Sequence, residues 1–230
     1  MNQAADTLVL FGATSPVALA LAERAVAEQL AVVAVVRAGS DASALAAAGA
    51  TVVRADVMDT GALSAALADV PRGALFLSAL GGKPGSDVKV DSTGNCNAID
   101  AAVRCNAARF VLITTVGAGD SRDALPEQLL PILGPIAAEK TLAEAHLRAS
   151  GLDYTILRPG HLLSEAATGN AMLVEDPRTL GAVTRSDLAA LALGVLRADA
   201  CRNRTFAVAD KNALRSTFPV TPFEWSPQAS

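Results

Sequence analysis

Short apolar, β-branched runs alternate with Ala- and Leu-rich stretches along nearly the whole chain, and this alternation restricts the fold more than any other feature. Thr7–Phe11, Ala31–Arg37, Thr51–Ala55, Gly73–Leu77, Arg109–Thr114, Asp153–Leu157 and Thr205–Ala209 read as strands. Residues 16–29, 41–48, 60–69, 92–106, 137–150 and 186–197 read as the intervening helices. In the last of these, Leu188, Leu191, Ala192 and Val195 recur at helical spacing, with Ser186 or Asp187 placed to cap the start. Several strands are apolar almost throughout, as strands are when helices cover both faces of a parallel sheet. With 51% hydrophobic residues, the chain has the apolar side chains that such a sheet must bury. The expected fold is α/β: a single doubly wound parallel sheet with helices on both faces.

No linker, repeat or change of composition divides the 230 residues. The reading is one domain over residues 1–214 and a tail over 215–230. Gly117–Pro135 and Leu162–Thr184 lack a regular pattern of useful length. Both follow strands, so both should lie outside the carboxyl ends of the sheet, where open α/β folds bind ligands. The tail gathers Phe218, Phe223 and Trp225, while Pro219, Pro222 and Pro227 prevent a regular helix. Aromatics concentrated there should cover something: the protein's own sheet or helices, a substrate pocket, or a dimer contact.

The charges, 19 Lys+Arg against 23 Asp+Glu, sum to −4 with no basic block, which argues against nucleic acid or an anionic membrane as partner. No apolar run approaches the ~18 residues that span a bilayer. Met1 to Thr7 lacks the basic and apolar regions of a secretory signal. Cys96, Cys105 and Cys201 are odd in number without C-x-x-C spacing, and the chain has only two histidines, so no metal site is expected. These features describe a soluble cytoplasmic protein of a reducing compartment; separately, a small-molecule substrate and a monomer or homodimer are expected.

The first strand runs into Gly12-Ala13-Thr14-Ser15-Pro16-Val17-Ala18 and then a helix. A dinucleotide site needs a tight turn, close approach of backbone to pyrophosphate, and a helix N-terminus aimed at negative charge. Gly12 supplies the turn, Pro16 suits a first helical turn, and Thr14 and Ser15 offer hydrogen bonds to phosphate. Ser15 and Ala18 stand where the fuller glycine pattern has glycines, so a plain strand-turn-helix is the competing reading. Arg37 ends the second strand, where a cation accommodates the 2′-phosphate of NADP and an acid would bind the ribose of NAD; an ordinary solvated arginine is the alternative. Asp56 and Val57 close the third strand beside an adenine position, or form a simple turn. Small residues in Ser78-Ala79-Leu80-Gly81-Gly82 would let a flat ligand approach the fourth strand's end.

These residues resemble the short-chain dehydrogenase/reductase superfamily in its small atypical branch, which includes biliverdin-IXβ/flavin reductases and NmrA-like NAD(P)-binding proteins. The resemblance covers roughly residues 6–210. It rests on the Gly12 loop, Val90-Asp91 before Asn97-Ala98-Ile99-Asp100-Ala101-Ala102, and Arg109-Phe110-Val111-Leu112-Ile113-Thr114-Thr115. It rests further on the stretch Ser150 through Leu162, which includes Leu157-Arg158-Pro159-Gly160-His161, and on Arg185-Ser186-Asp187-Leu188-Ala189. It implies an NAD(P)-binding Rossmann domain with the nicotinamide near the ends of strands four and five. Better-known members use a Ser/Thr after strand five and a Tyr-x-x-x-Lys pair. The Ser/Thr maps to Thr114 or Thr115 and the Lys to Lys140, but Ile136 occupies the Tyr position. An alkyl side chain does no general-acid work. The sole tyrosine, Tyr154, falls in the sixth strand and reads as core. Biliverdin-IXβ/flavin reductases also dispense with the pair and carry a turn resembling Pro159-Gly160-His161.

The resulting expectation is a reductase that prefers NADP(H) over NAD(H) and acts on a conjugated acceptor such as a flavin, bilin, quinone or enone. Gly12, Thr14, Ser15, Pro16 and Val17 would cradle phosphate, Arg37 the 2′-phosphate, and Asp56 and Val57 the adenine. Ala79, Leu80, Gly81, Thr114 and Lys140 would surround the nicotinamide half, closed by Pro159, Gly160 and His161. His161, Lys140 and Thr114 are the catalytic candidates. His161 is equally readable as a structural residue, Lys140 as a partner of Glu144 at i+4, and Thr114 as a β-former. A non-catalytic redox sensor or assembly factor of the NmrA-like kind is the principal alternative. A lyase or isomerase that retains its nucleotide is a third.

Overall fold

The computed structural model describes residues 6–82 and 89–226, so Pro227 and most of the N-terminal stretch lie outside the described residues. Along the chain come β1 (Thr7–Phe11), α1 (Pro16–Ala27), β2 (Ala31–Val36), α2 (Ser43–Ala47), β3 (Thr51–Arg54), α3 (Thr60–Ala66) and β4 (Leu75–Ser78). A π-helical turn, Val90–Gly94, leads into α4 (Asn95–Arg104) and β5 (Arg109–Ile113). Two 3-10 turns then precede α5 (Leu130–Ala149) and β6 (Tyr154–Pro159). The remainder is β7 (His161–Leu163), β8 (Ala171–Val174), β9 (Ala182–Thr184), α6 (Arg185–Arg197) and β10 (Arg204–Asp210).

The main sheet has the order β3-β2-β1-β4-β5-β6-β10-β8, with β7 and β9 forming a separate parallel pair. Its strands pair in parallel except for β8, which runs antiparallel to β10 along the edge. Side chains alternate across the sheet, so β1 feeds two cores. Leu8 and Leu10 pack with α1 and α6 residues such as Leu21 and Leu188. Val9 and Phe11 pack with Ile99 of α4 and Leu147 of α5 on the other face. Each of these side chains is fully buried, contributing about 1.5–3 kcal/mol. The doubly wound architecture is as expected. The strand order reverses between β1 and β4, and this leaves a crevice at their carboxyl ends.

Two stretches expected to be irregular are partly ordered. Residues 162–184 contain β8, β9 and most of β7, strands of three or four residues that are too short for alternation to declare them. α5 starts at Leu130, not residue 137: Pro131 sits in its first turn, where proline fits, and the helix continues through Pro135. The cap of α6 is Thr184, whose hydroxyl accepts from the Asp187 N–H at 3.0 Å; neither Ser186 nor Asp187 fills that place.

The tail covers the protein's own sheet. The Phe223 N–H donates to the Leu173 carbonyl of edge strand β8 at 2.7 Å, and its ring lies 4.8 Å from Phe206. Arg204 and Arg178 stack over Phe223 and Phe218, and Trp225 joins the α1/α6-side core. Among the described residues, no helix is long and apolar enough to cross a membrane.

Candidate functional site

The chain leaves β1 at Gly12 with φ +67°, a left-handed conformation that favours glycine. A Cβ there would stand 2.6 Å from the Ala79 oxygen and 2.8 Å from the Leu80 nitrogen. Gly12 therefore lets the ends of β1 and β4 pass closely at the crevice. The Ser15 N–H donates to the Gly12 carbonyl at 3.0 Å, and the Ser15 hydroxyl accepts from the Ala18 N–H at 3.3 Å, capping α1. Pro16 opens the helix, Thr14 is exposed and Val17 is buried. The helix thus points its first turn at the crevice, and the Ser15 hydroxyl keeps its proton to donate.

Arg37 is exposed immediately after β2. Beside it, Arg54 ends β3 opposite Val36, and its Nη1 donates to the carbonyls of Arg37 at 3.0 Å and Ser40 at 2.7 Å. The sequence reading passed over Arg54, although as the last residue of the third strand it falls next to the end of the second. Asp56 folds back to accept from the Met58 N–H at 2.9 Å, and the carbonyl of buried Val57 accepts from Asn97 Nδ2 at 2.9 Å. Helix α4 thereby fixes the turn after β3.

At the end of β4, the buried Ser78 hydroxyl donates to Asn95 Oδ1 at 2.6 Å and accepts from the Leu80 N–H at 3.3 Å. The Gly82 N–H donates to Asp91 Oδ2 at 2.8 Å. Lys140 reaches this strand end from α5: its Nζ donates to the Leu80 carbonyl at 3.0 Å and pairs with Asp91 Oδ1, also at 3.0 Å. The anticipated alternative, a Lys140–Glu144 pair along the helix, does not form, because each residue has a partner on another element.

Glu144 is fully buried and faces Arg158, which is 2% exposed. Arg158 Nε and Nη2 donate to its two carboxylate oxygens at 2.9 and 2.6 Å. Thr114 donates to Glu144 Oε1 at 2.8 Å, Arg148 Nη2 contacts Oε2 at 3.1 Å, and Arg158 Nη1 reaches Asp120. Burial opposes the charge on Arg158, but the Glu144 and Asp120 carboxylates outweigh it and raise the guanidinium above its usual range. Gly119 has φ +57°, and a Cβ there would strike Arg158 Nη2 at 2.3 Å. No spacing along the chain signals this network, since its members come from separate elements.

Pro159 ends β6, and the exposed His161 begins β7 with its N–H donating to the Gly181 carbonyl at 3.0 Å. Gly160 permits that crossing, since a Cβ would stand 2.2 Å from the Gly181 oxygen. The carboxyl edge of the sheet thus brings together Gly12, Ala79–Gly81, Thr114 and Pro159–His161 at the ends of β1, β4, β5 and β6. Arg37, Asp56 and Val57 follow the ends of β2 and β3. Tyr154 opens β6 at the opposite, amino edge.

The sequence profile of the NAD(P)H-binding family matches residues 12–199, from the crevice glycine to beyond α6. The chain belongs to this family. It is 36% identical to ChuY, an anaerobilin reductase from Escherichia coli O157:H7, with a TM-score of 0.81 over 90% of this chain and 98% of that one. It is 33% identical to an uncharacterized sugar epimerase, YhfK, of Bacillus subtilis over 75% of this chain and 79% of that protein. Sanguinarine reductase of Eschscholzia californica is 30% identical over 54% of this chain and 46% of its own length. The chain likewise spans 46% of an uncharacterized chloroplastic protein of Arabidopsis thaliana to which it is 33% identical.

The residues present fit the nicotinamide cofactor of this NAD(P)H-binding protein. Gly12 leaves the space beside Ala79 and Leu80 that a side chain would fill, and α1 aims its N-terminus there. Such a cofactor brings hydride chemistry, and the chain's part is to bind, orient and exclude water.

Proposed function

We propose that the protein is an NADPH-dependent reductase that delivers hydride to a small or medium conjugated acceptor such as a flavin, bilin, quinone or enone. One observation carries the choice of acceptor. Ile136 stands four residues before Lys140, and the sole tyrosine opens β6 at the opposite edge of the sheet. No phenol is therefore available at the carboxyl edge to protonate an alkoxide as it forms. A conjugated acceptor spreads the incoming charge over its own π system and takes its proton from His161 or solvent. Two of the similar proteins are named as reductases, of anaerobilin and of sanguinarine, which supports the reaction class.

In this reading Gly12 to Val17 hold the pyrophosphate, Arg37 meets the 2′-phosphate, and Asp56 with Val57 borders the adenine. Ala79 to Gly81, Thr114 and Lys140 bound the nicotinamide half, and Pro159 to His161 close its far side. A second reading draws on the same site. The Lys140 ammonium and the Thr114 hydroxyl already have protein partners, which suits a protein that binds NAD(P)H as a redox sensor without turnover.

Calorimetric titration with NADPH and NADH, followed by acceptor addition at 340 nm, separates the two. The reductase reading expects tight NADPH binding and its oxidation by FMN, a quinone or an enone, with Arg37→Ala raising the NADPH dissociation constant about 10-fold, equivalent to ~1.4 kcal/mol. Tight binding with no oxidation by any acceptor supports the sensor. Failure to bind either nucleotide removes both readings.

A further inference from the structure

Arg54 was absent from the expected site, yet it makes the most specific contacts at the β2–β3 edge. Residues Arg37 to Ser40 form a closed turn, with the Ser40 N–H donating to the Arg37 carbonyl at 3.1 Å. Arg54 Nη1 binds both end carbonyls of that turn, Arg37 and Ser40. A guanidinium carries five N–H donors, and these contacts occupy only Nη1. Among the described residues, the donors on Nε and Nη2 have no hydrogen-bond partner, and neither Arg37 nor Arg54 forms an ion pair with a carboxylate. The nearby acids hydrogen-bond elsewhere: Asp41 accepts from the Ser43 N–H at 2.9 Å, which with a weaker pull from the Arg54 charge holds its carboxyl below the ordinary range, and Asp56 accepts from the Met58 N–H at 2.9 Å. The turn is also open above its middle, since a Cβ on Gly39 would meet nothing within 4 Å.

Two guanidinium groups therefore stand at adjacent strand ends, neither in a direct ion pair among the described residues, on a chain of net charge −4. One is held rigidly by the backbone turn that carries the other. Planar, fixed donors beside open space suit a phosphate monoester, which carries about −1.5 to −2 charge at pH 7. We infer that Arg54 is the second cation of the 2′-phosphate subsite and sets the preference for NADPH over NADH. It does so by binding the phosphate through its remaining N–H groups while fixing the Arg37 turn. The inference rests on the nucleotide-binding reading above.

The test is calorimetric titration of the full chain with NADPH and NADH in the wild type, Arg54→Gln and Arg54→Lys, with thermal melts to verify folding. The wild type should prefer NADPH by at least about 10-fold. Arg54→Gln should weaken NADPH about 10-fold and leave NADH unchanged, and Arg54→Lys should recover part of the NADPH affinity through its charge. Equal weakening of both nucleotides would reduce Arg54 to a staple of the turn and overturn the proposal, as would unchanged NADPH affinity in Arg54→Gln. A wild type that binds both nucleotides equally overturns the subsite while leaving nucleotide binding intact. A wild type that binds neither overturns the nucleotide reading too.

Discussion

Replacing Arg158 with methionine tests the buried network beneath the site. The substitution keeps much of the side-chain volume and removes the charge that faces Glu144, which is 0% exposed. Losing one partner of a buried ion pair costs about 3–5 kcal/mol, because the other is left charged and poorly solvated. Arg148 Nη2 remains at 3.1 Å and Thr114 still donates at 2.8 Å, so the loss belongs near the lower end, ~3 kcal/mol. With a urea dependence of about 2–3 kcal/mol per molar, the unfolding midpoint should fall by roughly 1–1.5 M. The companion is Arg158→Met with Glu144→Leu, which removes both charges and fills the space with apolar atoms. Equilibrium urea unfolding should place this double variant within about 1 kcal/mol of the wild type, well above the single one. A single variant that loses less than about 1 kcal/mol, or a double variant less stable than the single one, would refute the account of Glu144 as a charge made tolerable by Arg158.

Three further outcomes follow from the geometry. Gly12→Ala forces a left-handed alanine, costing about 1–2 kcal/mol before its Cβ meets the Ala79 oxygen at 2.6 Å; a melting scan should show a drop of at least ~4 °C, with the NADPH binding heat lost. Burial raises the Asp120 carboxyl, but the hydrogen bond and charge of Arg158 overturn this and hold it below its ordinary 3.8, so its stabilisation is present above that value and fades as pH falls through the folded pKa. Urea midpoints of wild type and Asp120→Asn should therefore differ by a constant amount between about pH 5 and 8, ~1 kcal/mol or less for so exposed a carboxylate, and converge in acid. Cys201 is fully buried, and burial pushes its thiol up to about 11, so a thiol reagent at pH 8 should label half-buried Cys96 and Cys105 first and Cys201 only on unfolding.

The parts of this fold that announce themselves in the sequence are those whose physics is local. β1 is apolar over five residues, Gly12 and Pro16 punctuate the turn, and α1 follows at once, so strand, turn and helix were each legible. The start of α5 was hidden because Gly134 and Pro135 look like a break, whereas the helix runs through both. β7, β8 and β9 are too short to show a period, and they take their shape from neighbours such as β10 and the Gly160–Gly181 crossing. The site divides in the same way. Gly12 and Arg37 could be placed by counting from strand ends, but Asp91 with Lys140 and Glu144 with Arg158 meet only because α5 packs across the sheet.

Those pairings also bear on the reductase reading of a site in which Ile136 stands four residues before Lys140. Lys140 holds the end of β4 through the Leu80 carbonyl and the buried Asp91, while Thr114 gives its proton to Glu144. Both groups are therefore anchored by the protein before any ligand arrives, and the Thr114 oxygen is left to accept a hydrogen bond instead of donating one. Such groups are suited to orienting a flat ligand and poorly suited to moving protons during turnover. In the reductase reading, the burden of catalysis then falls on alignment of donor and acceptor carbon, with the proton delivered at the exposed rim where His161 stands. An acceptor that needs a proton as the hydride arrives gains little from this arrangement, whereas one that can hold the charge until the rim supplies a proton gains the full benefit of being held in place.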